Sequence, residues 1–317
     1  MKTSKISVGL ATLLFVGAFA LTSCKKKTQE VSVPTPEPED TEQTSASDNN
    51  LSESYVSDIE SMGSQASENN TLLTYKSSDG SQTGQIDLAP CAVVTTSVVA
   101  GVRSHTIDFG ASGCVGADGR TRTGKLIYVS TGGFYRNPGF AITVTSQNYV
   151  VDGNTVTINN KTISNTTPTT IPSGVNPGTN LSWAITATIT IQKAGGGTIS
   201  WNCNRTKELT NTTDTLCYKG QNRPIIWSKA KIKLTGTASG SNASNESYSV
   251  VATNLIRDFN CAPDPVNRPH RHPFIGGTVL YTPAKRLPRL IDYGNGTDCD
   301  FNATITINGK TYAFTLN

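Results

Sequence analysis

The strongest constraint on the fold is a two-residue period in the apolar side chains that runs through most of the chain after Thr71. It is clearest in Ala303 to Leu316 (ATITINGKTYAFTL), where two alternating runs flank Asn308-Gly309. Successive side chains of a strand point to opposite faces, so alternation marks a sheet with one buried face. Asn-Gly tolerates the positive φ values of a type I′ hairpin turn. Short runs rich in Thr, Val, Ile and Tyr recur upstream, separated by turn signals such as Asp118-Gly119 and Asp152-Gly153, and Ile185 to Gln192 and Thr198 to Cys203 flank Gly195-Gly196-Gly197 as a further hairpin. Residues 72–317 therefore read as an all-β, antiparallel body, a hairpin-rich sandwich or meander.

One helical period precedes the strands. Leu51, Tyr55, Ile59, Met62 and Ala66 recur at helical spacing, with Asn50 and Glu53 placed as a capping box. The pattern predicts one short amphipathic helix over roughly 51–68, within a segment 51–71, docking its apolar stripe on the body; Gly63 weakens its second half. Residues 25–50 are rich in Pro, Glu, Thr and Ser, a composition that cannot offset the entropy of ordering, so 24–50 reads as a disordered acidic tether.

At the N-terminus, Lys2 and Lys5 precede an apolar run, Val8 to Leu21, that ends in Leu21-Thr22-Ser23-Cys24. A membrane-spanning helix needs about 20 apolar residues, and a shorter run behind a basic start reads as a secretory signal. Residues 1–23 are the expected signal peptide. The small residues before a cysteine resemble a bacterial lipobox, so Cys24 is the expected lipidation site, palmitate included, with Lys25, Lys26 and Lys27 against anionic headgroups.

Seven cysteines become six once Cys24 is lipidated, and an even number in an exported chain reads as disulfides. An internal repeat suggests the pairing. Ile107-Asp108-Phe109-Gly110 is followed by Cys114 and Gly124-Lys125; Ile291-Asp292-Tyr293-Gly294 is followed by Cys299 and Gly309-Lys310. Each copy has a cysteine upstream, Cys91 or Cys261. The economical arrangement is two β units, approximately 86–200 and 229–317, stapled by Cys91–Cys114 and Cys261–Cys299, with Cys203–Cys217 closing the loop between them.

The Asp-Phe-Gly-x-x-x-Cys segment, Asp118-Gly119-Arg120-Thr121-Arg122-x-Gly124-Lys125, Asp292-Tyr293-Gly294-Asn295-Gly296 and Ile307-Asn308-Gly309-Lys310-x-Tyr312, behind a lysine-rich start after Cys24, resemble a group of uncharacterised β-rich lipoproteins of Bacteroidota. The likeness covers most of 86–317. It implies an exported, lipid-anchored, β-rich protein and no particular activity. The chain departs from that pattern in an insertion around Arg268 to Arg289, which holds His270 and His272.

Charge is segregated along the chain. Thr28 to Thr71 carries ten acidic residues and no Lys or Arg, whereas Leu72 to Asn317 carries 22 basic against 13 acidic. A basic body on an acidic stalk suits anionic surroundings. Lys229, Lys231 and Lys233 alternate with Ala230, Ile232 and Leu234, which would project three ammonium groups from one strand face. They read either as an anion-binding stripe or as lysines that protect an edge strand from pairing.

No catalytic constellation is legible, and no cofactor is called for. His270-Arg271-His272 with Asp264 lies among arginines and prolines, a poor cation site, and the cysteines lack zinc spacing, so no metal is expected. Asp292, Asp298 and Asp300 read as turn caps before they read as paired catalytic carboxylates. Trp183, Trp201 and Trp227 read as core before they read as a sugar platform, and Asp214-Thr215-Leu216 resembles an O-glycosylation sequon. The expectation is a non-enzymatic structural or binding module at the outer membrane, held by its lipid, with an anionic polysaccharide as partner and no specific nucleic acid. A membrane-tethered hydrolase acting on polysaccharide is the alternative.

Overall fold

Strand alternation is realised almost residue for residue. The computed structural model describes residues 44–68 and 91–316, apart from 117, 132, 169–180, 221, 222, 265 and 267–271. The first strands are β1 (Val93–Val99), β2 (Val102–Asp108), β3 (Cys114–Val115), β4 (Thr121–Thr131), β5 (Ala141–Val151), β6 (Asn154–Asn165) and β7 (Leu181–Gln192). They are followed by β8 (Thr198–Leu209), β9 (Lys231–Ser241), β10 (Ser247–Asp258), β11 (Gly276–Pro283), β12 (Arg289–Asn295), β13 (Asn302–Ile307) and β14 (Lys310–Thr315). Each pairs antiparallel with its sequence neighbour, except that β2 pairs with β4 and the two-residue β3 adds to the start of β4. The result is one open antiparallel sheet, a meander and not a sandwich, with β1 and β14 at its ends.

The helix α1 (Thr44–Glu68) begins earlier than the sequence pattern predicts, so the last residues of the expected tether, 44–50, are helical. Asn50 and Glu53 lie inside it and form no capping box. Tyr55, Ile59, Met62 and Ala66 are buried, as their spacing predicts. Much of the rest of the circumference is covered too: Asp48, Asn49, Ser52, Glu53, Glu60, Ser61, Ser64 and Ser67 are buried, while Leu51 of the expected stripe, Asn50, Ser54, Ser57 and Asp58 are partly exposed and Ser47 is exposed. The helix does not lay one stripe on a surface; it is enclosed. Gly63 does not weaken it but permits close approach, because a Cβ there would lie 2.3 Å from the ring of Tyr128. The Tyr128 hydroxyl donates to the Ile59 carbonyl at 2.7 Å.

Enclosure follows from strand curvature. The helix meets side chains of β4, β8, β10 and β12. In a flat sheet, β4 and β12 would stand about 40 Å apart at 4.8 Å per strand step, far beyond the width of a helix. The sheet must therefore curl around α1. Bulges provide part of the bend: the β4–β5 register shifts between Thr123 and Lys125, and Gly124, at φ +77°, lies so close to Asn148 that a Cβ would come within 2.1 Å of its carbonyl oxygen. Trp183 and Trp201 are core residues of the inner face, and Trp227, in the β8–β9 connection, is buried with them.

The internal repeat is a repeated corner within one sheet. Asp108, at the end of β2, and Asp292, within β12, accept the amides of Gly110 and Gly294 at 2.9 and 2.8 Å, and Phe109 and Tyr293 are buried between them. Cys91–Cys114 and Cys261–Cys299 staple the two corners. The likeness ends there, since Gly124 sits in a bulge and Gly309 in the β13–β14 turn. The two units are also not separate bodies, because β8 and β9 pair continuously from Ser200↔Ser241 to Leu209↔Ile232.

The third expected bridge is not formed: Cys203 and Cys217 are both buried free thiols. Cys203 faces inward from the middle of β8, and Leu209 ends that strand about 20 Å further on at 3.3 Å per residue. Cys217 sits in the following loop, where its carbonyl accepts the amide of Ile226. Non-reducing peptide mapping is expected to recover the 91–114 and 261–299 links, with Cys203 and Cys217 alkylated only after unfolding. A 203–217 peptide would contradict this arrangement.

Candidate functional site

The most distinctive chemistry in the molecule is the seam between the acidic helix and the basic inner face of the sheet. Strand alternation creates it. In β8 the inward positions are Ile199, Trp201, Cys203, Arg205, Lys207 and Leu209, so the cations stand in the apolar phase of the strand. Arg122 on β4, Lys161 on β6 and Arg257 on β10 also stand on the inner face and are buried.

Every described carboxylate of α1 meets a cation there. Asp58 Oδ2 accepts from Arg120 Nη1 at 2.5 Å and from Arg122 Nη2 at 2.6 Å, and Arg122 also holds Asp118 through two bonds at 2.5 and 2.9 Å. Glu53 accepts from Arg205 at 2.5 Å. Glu60 accepts from Lys207 at 2.9 Å and from the Tyr135 hydroxyl at 3.2 Å, with Lys161 at 3.7 Å. The Lys207 ammonium lies 4.8 Å from the Trp227 ring centroid and 5.3 Å from that of Tyr135, adding cation–π attraction. Asp48 bridges Lys193 at 2.6 Å and the Ala243 amide at 2.9 Å. Neutral groups follow the same pattern: Trp201 donates to Asn49, Tyr293 to Asn50 and Arg257 to Ser57.

Burial opposes ionisation of Asp58 and Glu60, but the facing cations outweigh it. Arg120 and Arg122 bring Asp58 down to about 2, and Lys207 and Lys161 hold Glu60 below the usual carboxylate range. Burial pushes the thiols of Cys203 and Cys217 up to about 12, which leaves both unreactive at neutral pH. His105, on β2 with Nδ1 2.8 Å from Thr96 Oγ1, is brought down to about 4 by burial and by Arg103.

A cavity of about 60 Å³ opens at one end of the seam. Asn50, Ser54, Asp58 and Arg120 line its polar side, and Phe274 and Phe301 its apolar side. A second concavity, about 430 Å³, lies on β12–β14 and brings Asp292, Asp298 and Asp300 to one surface beside Phe314. All three aspartates act in local turns there, accepting from the Gly294 amide, the Asn295 side chain and the Asn302 amide. Among the described residues no group of three His, Cys, Asp or Glu is placed to hold a metal ion.

The lysine stripe is realised only in part: Lys231 and Lys233 stand on one face of β9, alternating with the buried Ile232 and Leu234, and Lys229 lies outside the strand. Lys229 belongs to a 3-10 turn, Trp227–Lys229, and β9 is flanked by β8 and β10, so it is no edge strand. Lys229 donates to Asn260 at 2.8 Å, Lys231 to the Gly296 carbonyl at 3.1 Å, and Lys233 pairs with Glu208 at 2.6 Å. His272 is buried with Nδ1 2.6 Å from the Cys261 carbonyl, while His270 and Arg271 lie outside the described residues, as do Cys24 and the signal. Thr215 is exposed, beside an Asp214 that caps the Leu216 amide.

Comparison with family models, with curated proteins and with solved structures found no match. No described helix is long and apolar enough to cross a membrane.

Removing one partner of a buried ion pair costs about 3–5 kcal/mol, because it strands the other charge, whereas replacing both with apolar groups costs little. Glu53→Gln is therefore expected to lower stability by that order and Glu53→Gln/Arg205→Met to recover most of it, as read by denaturant unfolding.

The pH dependence is read at His105 and Asp58, with Glu60 shifted in the same direction as Asp58. His105 has a folded pKa below its unfolded value of about 6.5, so its contribution is complete above that value and is lost as pH falls towards 4. The contribution of Asp58 is complete above about 3.9 and is lost as pH falls through about 2. Unfolding midpoints should drop in two stages, the first on the order of 3 kcal/mol, and His105→Gln should remove only that first stage.

Proposed function

We propose that this chain is a lipid-anchored cell-envelope protein acting as a structural or binding module at the outer membrane, carried on the diacylated Cys24. The observation that carries the reading is the combination of Leu21-Thr22-Ser23-Cys24 behind a short apolar run with two cystine bridges in the body, which belong to an oxidising compartment. Two or more acyl chains hold such a protein stably, since each buried methylene contributes about 0.8 kcal/mol.

The non-catalytic reading rests on how the buried charges are used. The carboxylates of α1 and the inner cations hold helix to sheet, so the polar interior is architectural. An anionic polysaccharide is the proposed partner, with Lys229 and Lys231 as its contact. Their acceptors, Asn260 and Gly296, carry no charge, whereas Lys233 is paired with the Glu208 carboxylate. The second reading, a tethered polysaccharide hydrolase, is favoured by the convergence of Asp292, Asp298 and Asp300 on one concavity.

Cys24→Ala is expected to abolish lipid labelling and to move the protein out of the membrane fraction; retention in the detergent phase would place the anchor elsewhere. The full-length protein in detergent should bind acidic but not neutral polysaccharides, less tightly at high salt and after Lys229→Gln/Lys231→Gln. Release of reducing ends, lost in Asp292→Asn or Asp300→Asn, would instead establish the hydrolase.

A further inference from the structure

Among the described residues, the outer edge of β1 carries none of the features that usually block strand pairing. Lysines, prolines, bulges or a covering element normally protect such an edge, yet Val93–Val99 reads VVTTSVV, with no charge and no proline, in unbroken register with β2. Most of its side chains are open to solvent: Val93 is 49% exposed, Val98 62% and Val99 72%, while Val94 is buried and Thr96 partly so. The opposite end of the sheet differs. β14 begins with Lys310, and both Lys310 and Tyr312 have further interaction partners.

Backbone geometry defines which groups of β1 are unpaired. The β1–β2 turn, Ala100-Gly101, has φ of +51° and +80°, a type I′ hairpin that closes on the hydrogen-bonded pair Val99–Val102. Antiparallel alternation then turns the amide and carbonyl groups of Val94, Thr96 and Val98 away from β2, towards the open edge.

We propose that β1 pairs antiparallel with β1 of a second copy of this chain, about a two-fold axis through Thr96. The sequence is nearly palindromic about that residue. Val93 meets Val99, Val94 meets Val98, Thr95 meets Ser97 and Thr96 meets its own copy. This register alone overlaps the whole strand and makes each outward residue, 94, 96 and 98, face another outward residue, so that every open amide and carbonyl is satisfied. Cross-strand pairs of β-branched side chains and hydroxyls are favourable. The contact is isologous and closes as a dimer, unlike a β1-to-β14 contact, which would propagate.

The test is a charge exchange at Thr95 and Ser97, two exposed positions that face each other across the proposed axis. In sedimentation or light scattering, the full-length protein in detergent is expected to be a dimer. Thr95→Lys/Ser97→Lys and Thr95→Glu/Ser97→Glu should each be monomeric, with an unchanged far-UV circular dichroism spectrum. An equimolar mixture of the two should recover the dimer, because each lysine then faces a glutamate. A monomeric parent protein, dimers that survive in both variants, or a mixture that stays monomeric would each overturn the proposal.

Discussion

Everything in this architecture depends on burying a helix that is mostly polar. Moving a carboxylate out of water costs several kcal/mol even after relaxation, and α1 takes Asp48, Glu53 and Glu60 inside together, with Asp58 partly exposed beside them. The burial is tolerable only because cations meet them: Arg205 and Lys207 from β8, Arg122 from β4, Arg120 from the turn before it and Lys193 from the turn after β7. Ion pairs of this kind contribute little net stability. Their stronger effect is on specificity, since a helix shifted by one residue would strand several charges at once.

That requirement shapes the sheet. A meander of hairpins can form from local pairings, each strand finding its sequence neighbour, and nothing in those pairings demands a particular curvature. The helix supplies the demand, because its partners are distributed from β4 to β12. Bulges such as that at Gly124 and Asn148 allow the bend, and the matched cystine corners after β2 and β12 hold the chain where it turns out of the sheet. Curling does not bring β1 into a ladder with β14, so the open edge is a consequence of the same design.

The seam also changes the meaning of the basic excess in the body. A surplus of Lys and Arg is ordinarily a surface property that attracts anionic partners. Here Arg122, Lys161, Arg205 and Lys207 face inward and are almost wholly inaccessible. Their first anionic partner is the chain's own helix, which leaves the outer face with a smaller charge than the composition suggests.

The sequence by itself determined the strands, the turns and two of the bridges, because alternation, Asn-Gly turns and the repeated Ile-Asp-aromatic-Gly corners are local signals that neighbouring residues enforce. It also contained the charge segregation and the cations in the apolar phase of β8, Arg205 and Lys207, without revealing their purpose. Only the tertiary structure decided that the acidic helix would lie inside the basic sheet, that the polar face of α1 would be buried, and that Cys203 and Cys217 would stay apart. Those outcomes depend on contacts between residues more than a hundred positions apart, such as Glu53 with Arg205 and Glu60 with Lys207. Local periodicity sets which face a residue occupies; which element then covers that face is decided only when the whole sheet curls and the helix carboxylates meet their cations.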